Sequence, residues 1–266
     1  MPTNFARRPA RRGLRQFLTA GPWRTLARDP AVFLANLRQG PEYLRDRRRK
    51  RDLDDFKEFV EPEVEAVCAV LEIDPARYEA AARATWLPAA DPDDPLSAWN
   101  AREELLRIVG TAVALMRPAV VVETGVALGF TTATVLCAMA DAGRGRLYSV
   151  DLPALQHNPD EPLGMAVPPE LRDRWQLELG DSRKKLGPLC ARVAPLDVFL
   201  HDALHTYSSQ LREYRTAWPF IRSGGLLLSD DVDNPAFVEF AAEVGARPHL
   251  VAGPSRKDAI GLLRKP

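Results

Sequence analysis

Residues 118–132 read PAVVVETGVALGFTT, and the fold is decided there. Val120 to Val122 form a short β-branched run, which favours a strand. Glu123 follows, then two glycines four apart, Gly125 and Gly129. Thr131 and Thr132 open a helix-like segment, Ala133 to Ala140. A strand, a glycine turn and a helix N-terminus together bring backbone N–H groups against an anionic ligand. Glycine suits such a turn because it tolerates positive φ and close approach.

The spacing is G-x-x-x-G, not the G-x-G-x-x-G of dinucleotide-binding turns. With Glu123 it reads E-x-G-x-x-x-G, which resembles the first motif of class I S-adenosylmethionine-dependent methyltransferases. Outward from it, strands and helices alternate, the pattern of a doubly wound parallel sheet. Strands are expected at 119–124, 146–151, 175–179, 197–202 and 226–230, with a closing hairpin at 248–252 and 259–264. Helices are expected at 235–244 and from Tyr207 to Ile221, the latter broken by Gly224-Gly225. Fold class is therefore α/β: a doubly wound, mostly parallel seven-stranded sheet with an N-terminal helical extension.

Five strands end in acids or are followed at once by them: Glu123, Asp151, Asp181, Asp202 and the pair Asp230-Asp231. Ligands of open α/β sheets bind beyond the carboxyl ends of the strands, so all five point at one edge. Asp151 is placed to accept two ribose hydroxyls, since a carboxylate offers two acceptor oxygens. Asp181 is placed for the adenine amino group, and the turn Gly125–Gly129, with Thr131, for the methionine part. Asp202, Asp230 and Asp231 would repel one another unless a cation sits between them, and oxygen ligands select a hard ion such as Mg²⁺. Alternatively, these acids cap turns, and Asp202 only hydrogen-bonds the cofactor.

The segment FLHDALHTY (199–207), then Trp218-Pro219 and RSGGLLLSDD (222–231), looks like the family that includes macrocin-type O-methyltransferases. That family commonly shows D-G-D-H-x-Y after strand four and G-G-x-x-x-x-D-D at strand five. The resemblance spans roughly 97–265. It implies S-adenosylmethionine as cofactor, Asp202, Asp230 and Asp231 as metal ligands, and O-methylation of a small or glycosylated metabolite. The family's second acid, usually its general base, falls on Leu204 here, so His205 becomes the candidate base beside Asp202. His201 should point to the opposite side of its strand. His157 lies in a Pro/Asn-rich loop, 152–169, that reads as a substrate lid. Two rival readings are a nicotinamide-dependent oxidoreductase and a non-catalytic cofactor-binding protein that works through its N-terminal arm.

The chain has 266 residues and formal net charge zero. That zero hides a split: residues 1–51 carry 14 Lys/Arg against 3 Asp/Glu, a net +11, and the rest −11. A basic arm on an acidic globule is implied. The arm holds Arg7, Arg8, Arg11, Arg12 and Arg15, then a second cluster from Arg45 to Arg51, with scattered apolar residues between. It is expected to be partly helical and to pack those residues on the domain; an anionic surface or a subunit interface are the other partners it could serve. Residues 52–117 read as a helical cover over the substrate side of the sheet, with Ser97 as a helix cap and the loop around Asp91 acidic. The methyltransferase domain is expected over 118–266. A homo-oligomer is expected, and no nucleic-acid partner. Cys68, Cys137 and Cys190 are widely spaced, as for reduced thiols in a cytoplasmic protein. No run approaches the ~18 apolar residues of a membrane span.

Overall fold

The computed structural model describes residues 29–87, 102–154, 163–253 and 258–266. The first arginine cluster, Asp91, Ser97 and His157 lie outside them. The strands are β1 (Val120–Thr124), β2 (Arg146–Asp151), β3 (Trp175–Leu179), β4 (Leu196–His201), β5 (Ile221–Ser229), β6 (His249–Ala252) and β7 (Ala259–Arg264). They form one seven-stranded sheet in the order β3-β2-β1-β4-β5-β7-β6. β3 to β5 pair in parallel, and β7 and β6 close the sheet antiparallel. The order reverses between β1 and β4, which opens a crevice at their carboxyl ends.

Both faces of the sheet are covered, so its inner strands are apolar on both sides. On one face Val121, Val198, Leu200 and Leu226 pack against α2 (Glu63–Leu71), α3 (Pro75–Ala84), α4 (Glu103–Met116) and α5 (Phe130–Asp141). On the other, Val122, Phe199 and Leu227 pack against α6 (Ser182–Val193), α7 (Tyr207–Ala217) and α8 (Ala236–Glu243). The described helices of 52–117, α2 to α4, thus lie on a sheet face. β5 starts at Ile221, earlier than the expected Leu226. Gly224 and Gly225 sit inside the strand, where the register against β4 shifts between Leu196 and Val198. A Cβ on Gly225 would lie 2.8 Å from the Asp197 carbonyl oxygen, so glycine allows this kink. The helical spacing from Phe56 to Leu71 is split by Pro62 into a 3-10 segment, Leu53–Phe59, and α2.

The roof of the carboxyl edge comes from the arm. Its helix α1 (Pro30–Asp46) reaches the loops after two strands, and the residues just beyond it reach a third. Asn36 Nδ2 donates to the Pro153 carbonyl after β2 at 3.0 Å. Thr206 Oγ1 donates to Glu42 at 2.9 Å and the Ser208 amide to Asp46 at 2.8 Å, both after β4. Beyond α1, Lys50 donates to Asp233 and the Arg51 amide to the Asp233 carbonyl at 2.7 Å, after β5. Two carboxylates therefore meet the N-terminus of α7, where the helix dipole favours negative charge. Of the apolar residues expected to pack on the domain, Val32 and Phe33 are half-buried, whereas Leu34 and Leu37 are exposed, as is Leu44. Docking of α1 runs mainly through polar groups because the loops it crosses present amides and hydroxyls.

Two outcomes follow from this packing. Phe199 is fully buried, so Phe199→Ala should cost about 3–5 kcal/mol of unfolding free energy, read by urea denaturation. Glu42→Ala with Asp46→Ala should speed amide hydrogen exchange over residues 30–46 while leaving the protection of β1 and β4 unchanged.

Candidate functional site

The crevice between β1 and β4 is built by the sheet's own hydrogen bonding, continued one residue past each strand. The Gly125 amide donates to Val150, Asp202 to Thr124, Asp230 to His201 and Gly180 to Asp151, at 2.8–2.9 Å. This ladder sets Asp202 and Asp230 side by side. Gly125 has φ +85°, and a Cβ there would lie 1.8 Å from the Asp202 carbonyl oxygen. Gly129, φ +87°, starts α5 and faces Gly164 closely enough that a Cβ would meet its Cα at 2.6 Å. A cavity of about 980 Å³ opens above, with the Gly125–Leu128 turn, Thr131, Asp151, Asp202, Leu204, His205, Asp230 and Asp231 in its lining. Asn36, Gln39 and Tyr43 of α1, with Lys50, line it from the arm.

Asp151 holds the glycine turn: its Oδ2 accepts the amides of Val126 at 2.7 Å and Ala127 at 2.9 Å. Thr131 donates to Asp202 Oδ2 at 3.2 Å. Two residues expected at the cofactor stand elsewhere. Glu123 is fully enclosed under the sheet edge, where Thr132 and Ser149 donate to it at 2.8 and 2.7 Å. Alternation along β1 turns it away from the cavity, and burial pushes its carboxyl up to about 7. Asp181 caps α6, accepting the Arg183 amide at 3.0 Å, and also binds the Arg183 guanidinium. Burial works against its charge, yet Arg183 holds it below the usual carboxylate range. Gly180 and Ser182 line the cavity at that end instead. His201 lies on the opposite face of β4, fully buried, with Nδ1 2.8 Å from Glu213.

The remaining acids meet three different fates. His205 Nδ1 donates to Asp231 Oδ2 at 3.0 Å, and His205 Nε2 lies 3.7 Å from Asp202 Oδ1 with no hydrogen-bond partner. Burial opposes charge on this imidazole, but Asp231 first and then Asp230 and Asp202 raise it to about 9. Asp231 is held down to about 2: burial opposes its charge, and the bond from His205 outweighs it. Asp202 is pushed well above the carboxylate range by burial and by Asp230 beside it. Asp230 accepts Arg102 Nη2, and Arg102 Nη1 binds Asp258. Arg102 Nη2 is also 3.5 Å from Asp231.

Asp202, His205 and Asp230 bring donor atoms within 4.8 Å of one another, and Asp231 is not in that group. A divalent ion there would share Asp230 with a guanidinium and lie beside its permanent charge. Mg²⁺ also prefers oxygen donors to imidazole. The residues as arranged fit a guanidinium and do not fit the expected Mg²⁺. Arg102 carried no mark in the sequence, being a lone arginine with partners 128 and 156 positions away.

Residues 122–232 match the family model described as a methyltransferase domain. No curated protein matches the chain. Among solved structures it is similar to the O-methyltransferase TomG from Streptomyces achromogenes, involved in tomaymycin synthesis and solved with SAM. Identity is 15%, coverage is 71% of this chain and 90% of that one, and the TM-score is 0.52. An O-methyltransferase from Bacillus cereus in complex with SAH matches at 16% identity, over 76% of this chain and 96% of that one, with a TM-score of 0.47. At such identities the likeness to TomG is one of fold. The chain thus carries a methyltransferase-type α/β fold, with its methyltransferase-domain match running from β1 to just past β5.

Proposed function

We propose that the protein transfers a methyl group from S-adenosylmethionine to a hydroxyl of a small or glycosylated metabolite. One observation carries this: the glycine turn after β1 and the Asp202–His205 loop after β4, both inside the matched methyltransferase domain, open onto one large cavity that residues of the arm help to line. Its volume, about 980 Å³, is at the upper end of small-molecule sites and has room for a cofactor and an acceptor together. The likeness of residues 199–231 to macrocin-type enzymes supports an oxygen acceptor.

S-adenosylmethionine, when bound, supplies a methyl group on a cationic sulfur. The Gly125–Gly129 turn, fixed by Asp151, would receive its methionine end, and Asp151 and Ser182 its nucleoside end. His205 is assigned as the base. Asp231 holds the proton on Nδ1, so the neutral ring presents Nε2 to the acceptor. His205 Nε2 would take the proton of the acceptor hydroxyl as its oxygen is methylated, and the donor, having given up its methyl group, would be left as a neutral thioether. Leu204 lines the cavity without a proton to exchange, which leaves this work to its neighbour.

Calorimetry should show S-adenosylmethionine binding to the wild type, and absence of binding to a folded chain would sink the assignment. His205→Ala should cut turnover by about 10²–10⁴-fold with cofactor affinity unchanged. Because Asp231, Asp230 and Asp202 raise the imidazole to about 9 against the effect of burial, and only its deprotonated form can act as base, the reaction is tied to that range of pH. The rate kcat/KM should therefore climb with pH up to about 9 and then level, and Asp231→Asn should move that rise to lower pH. A flat profile in the wild type would remove His205 from the chemistry.

A further inference from the structure

Arg102 takes no part in the steps above, yet it is the residue most firmly set among the site's acids. It stands just before α4, and its carbonyl accepts the Leu106 amide at 3.1 Å, which fixes its backbone to the helix start. Its guanidinium bonds Asp230, at the end of β5, and Asp258, just before β7, and lies 3.5 Å from Asp231. A planar, permanently charged fork suits several carboxylates at once better than a point charge does. Space for it is provided by Gly253: a Cβ there would lie 2.4 Å from Arg102 Nη1 and 2.7 Å from Asp258 Oδ1. Asp231, in turn, holds His205 Nδ1 at 3.0 Å. Guanidinium, carboxylate and imidazole thus form one connected chain from α4 to the cavity.

We propose that Arg102 is the resident cation of the aspartate cluster, standing where a divalent ion would otherwise bind, and that through Asp231 it positions His205 for a transfer that needs no metal. The second half rests on the methyl transfer proposed above; the first half does not. The physical ground is competition: Asp230 cannot serve both the guanidinium and an ion, and two cations a few ångströms apart repel. Arg102 is a positioning residue, acting on the acceptor only through Asp231 and His205.

The test uses Mn²⁺ alone as probe on the full chain, read by the electron paramagnetic resonance signal of the free ion. Wild type should leave the signal undiminished at millimolar Mn²⁺. Arg102→Gln, neutral and of similar length, should take up one equivalent, because Asp230 then faces Asp202 and His205 without the guanidinium that bonds it. Asp230→Asn added to Arg102→Gln should abolish that uptake. One Mn²⁺ bound per wild-type chain and lost in Asp230→Asn overturns the proposal, as does a folded Arg102→Gln chain that binds none. If Arg102→Gln fails to fold, Gly253→Val in the wild type serves in its place: it should crowd the guanidinium out and likewise admit one Mn²⁺, and a folded Gly253→Val chain that binds none counts against the proposal. Wild-type methyl transfer should be unaltered by EDTA, and its loss in EDTA overturns the metal-free half. Calorimetry with S-adenosylhomocysteine keeps the two layers apart: a chain that does not bind it removes methyl transfer, while the Mn²⁺ result still decides the cation.

Discussion

Negative charge brought together at the carboxyl edge is the constraint on which the site depends. Parallel pairing carried one residue past β4 and β5 sets Asp202 and Asp230 next to each other whatever their side chains prefer. Burying unpaired charge costs several kcal/mol per ion, so each acid needs a separate solution. Asp202 gives up charge, its carboxyl raised by burial and by Asp230. Asp230 keeps company with Arg102, and Asp231 with the His205 imidazolium. Asp231 can do so because its left-handed backbone, φ 47°, turns the chain out of the strand direction immediately after Asp230.

A similar economy holds the arm in place. Glu42 and Asp46 are buried on α1 although both are acids, because the start of α7 offers them a hydroxyl, an amide and a helix dipole. Arg183 and Arg212 lie 3.8 and 3.5 Å from Glu42 and add positive charge to the same spot. Lys50 is answered by Asp233 across the cavity mouth. A segment that is basic in composition is thus fastened, over its described part, largely by its acids, while Leu34, Leu37 and Leu44 face out.

Much of the sheet was legible because a buried parallel strand declares itself locally. Arg146–Asp151 and Trp175–Leu179 have the same limits in the chain and in the structure. The start of β5 was hidden by Gly224-Gly225, which read as a break but form a kink inside the strand. Asp181 shows the limit of motif reading. An acid before a serine at a strand end is the signature of a ligand contact and of a helix cap alike, and Arg183, two residues on, decides for the cap. Glu123 was drawn to the edge by its place in the motif, whereas strand alternation turns it inward. Arg102 and the role of α1 could not be read at all, since both depend on contacts between segments more than a hundred positions apart.

The tight approach of Gly125 to the Asp202 carbonyl changes what a lesion at that glycine would mean. The loop after β1 is pressed against the loop after β4 by the chain itself. A side chain at position 125 would wedge the two central strands apart before anything had bound. Loss of binding in such a variant would report a broken hinge line in the sheet, and the glycine is better understood as a seam between two halves of the fold than as a fingerprint of what the fold holds.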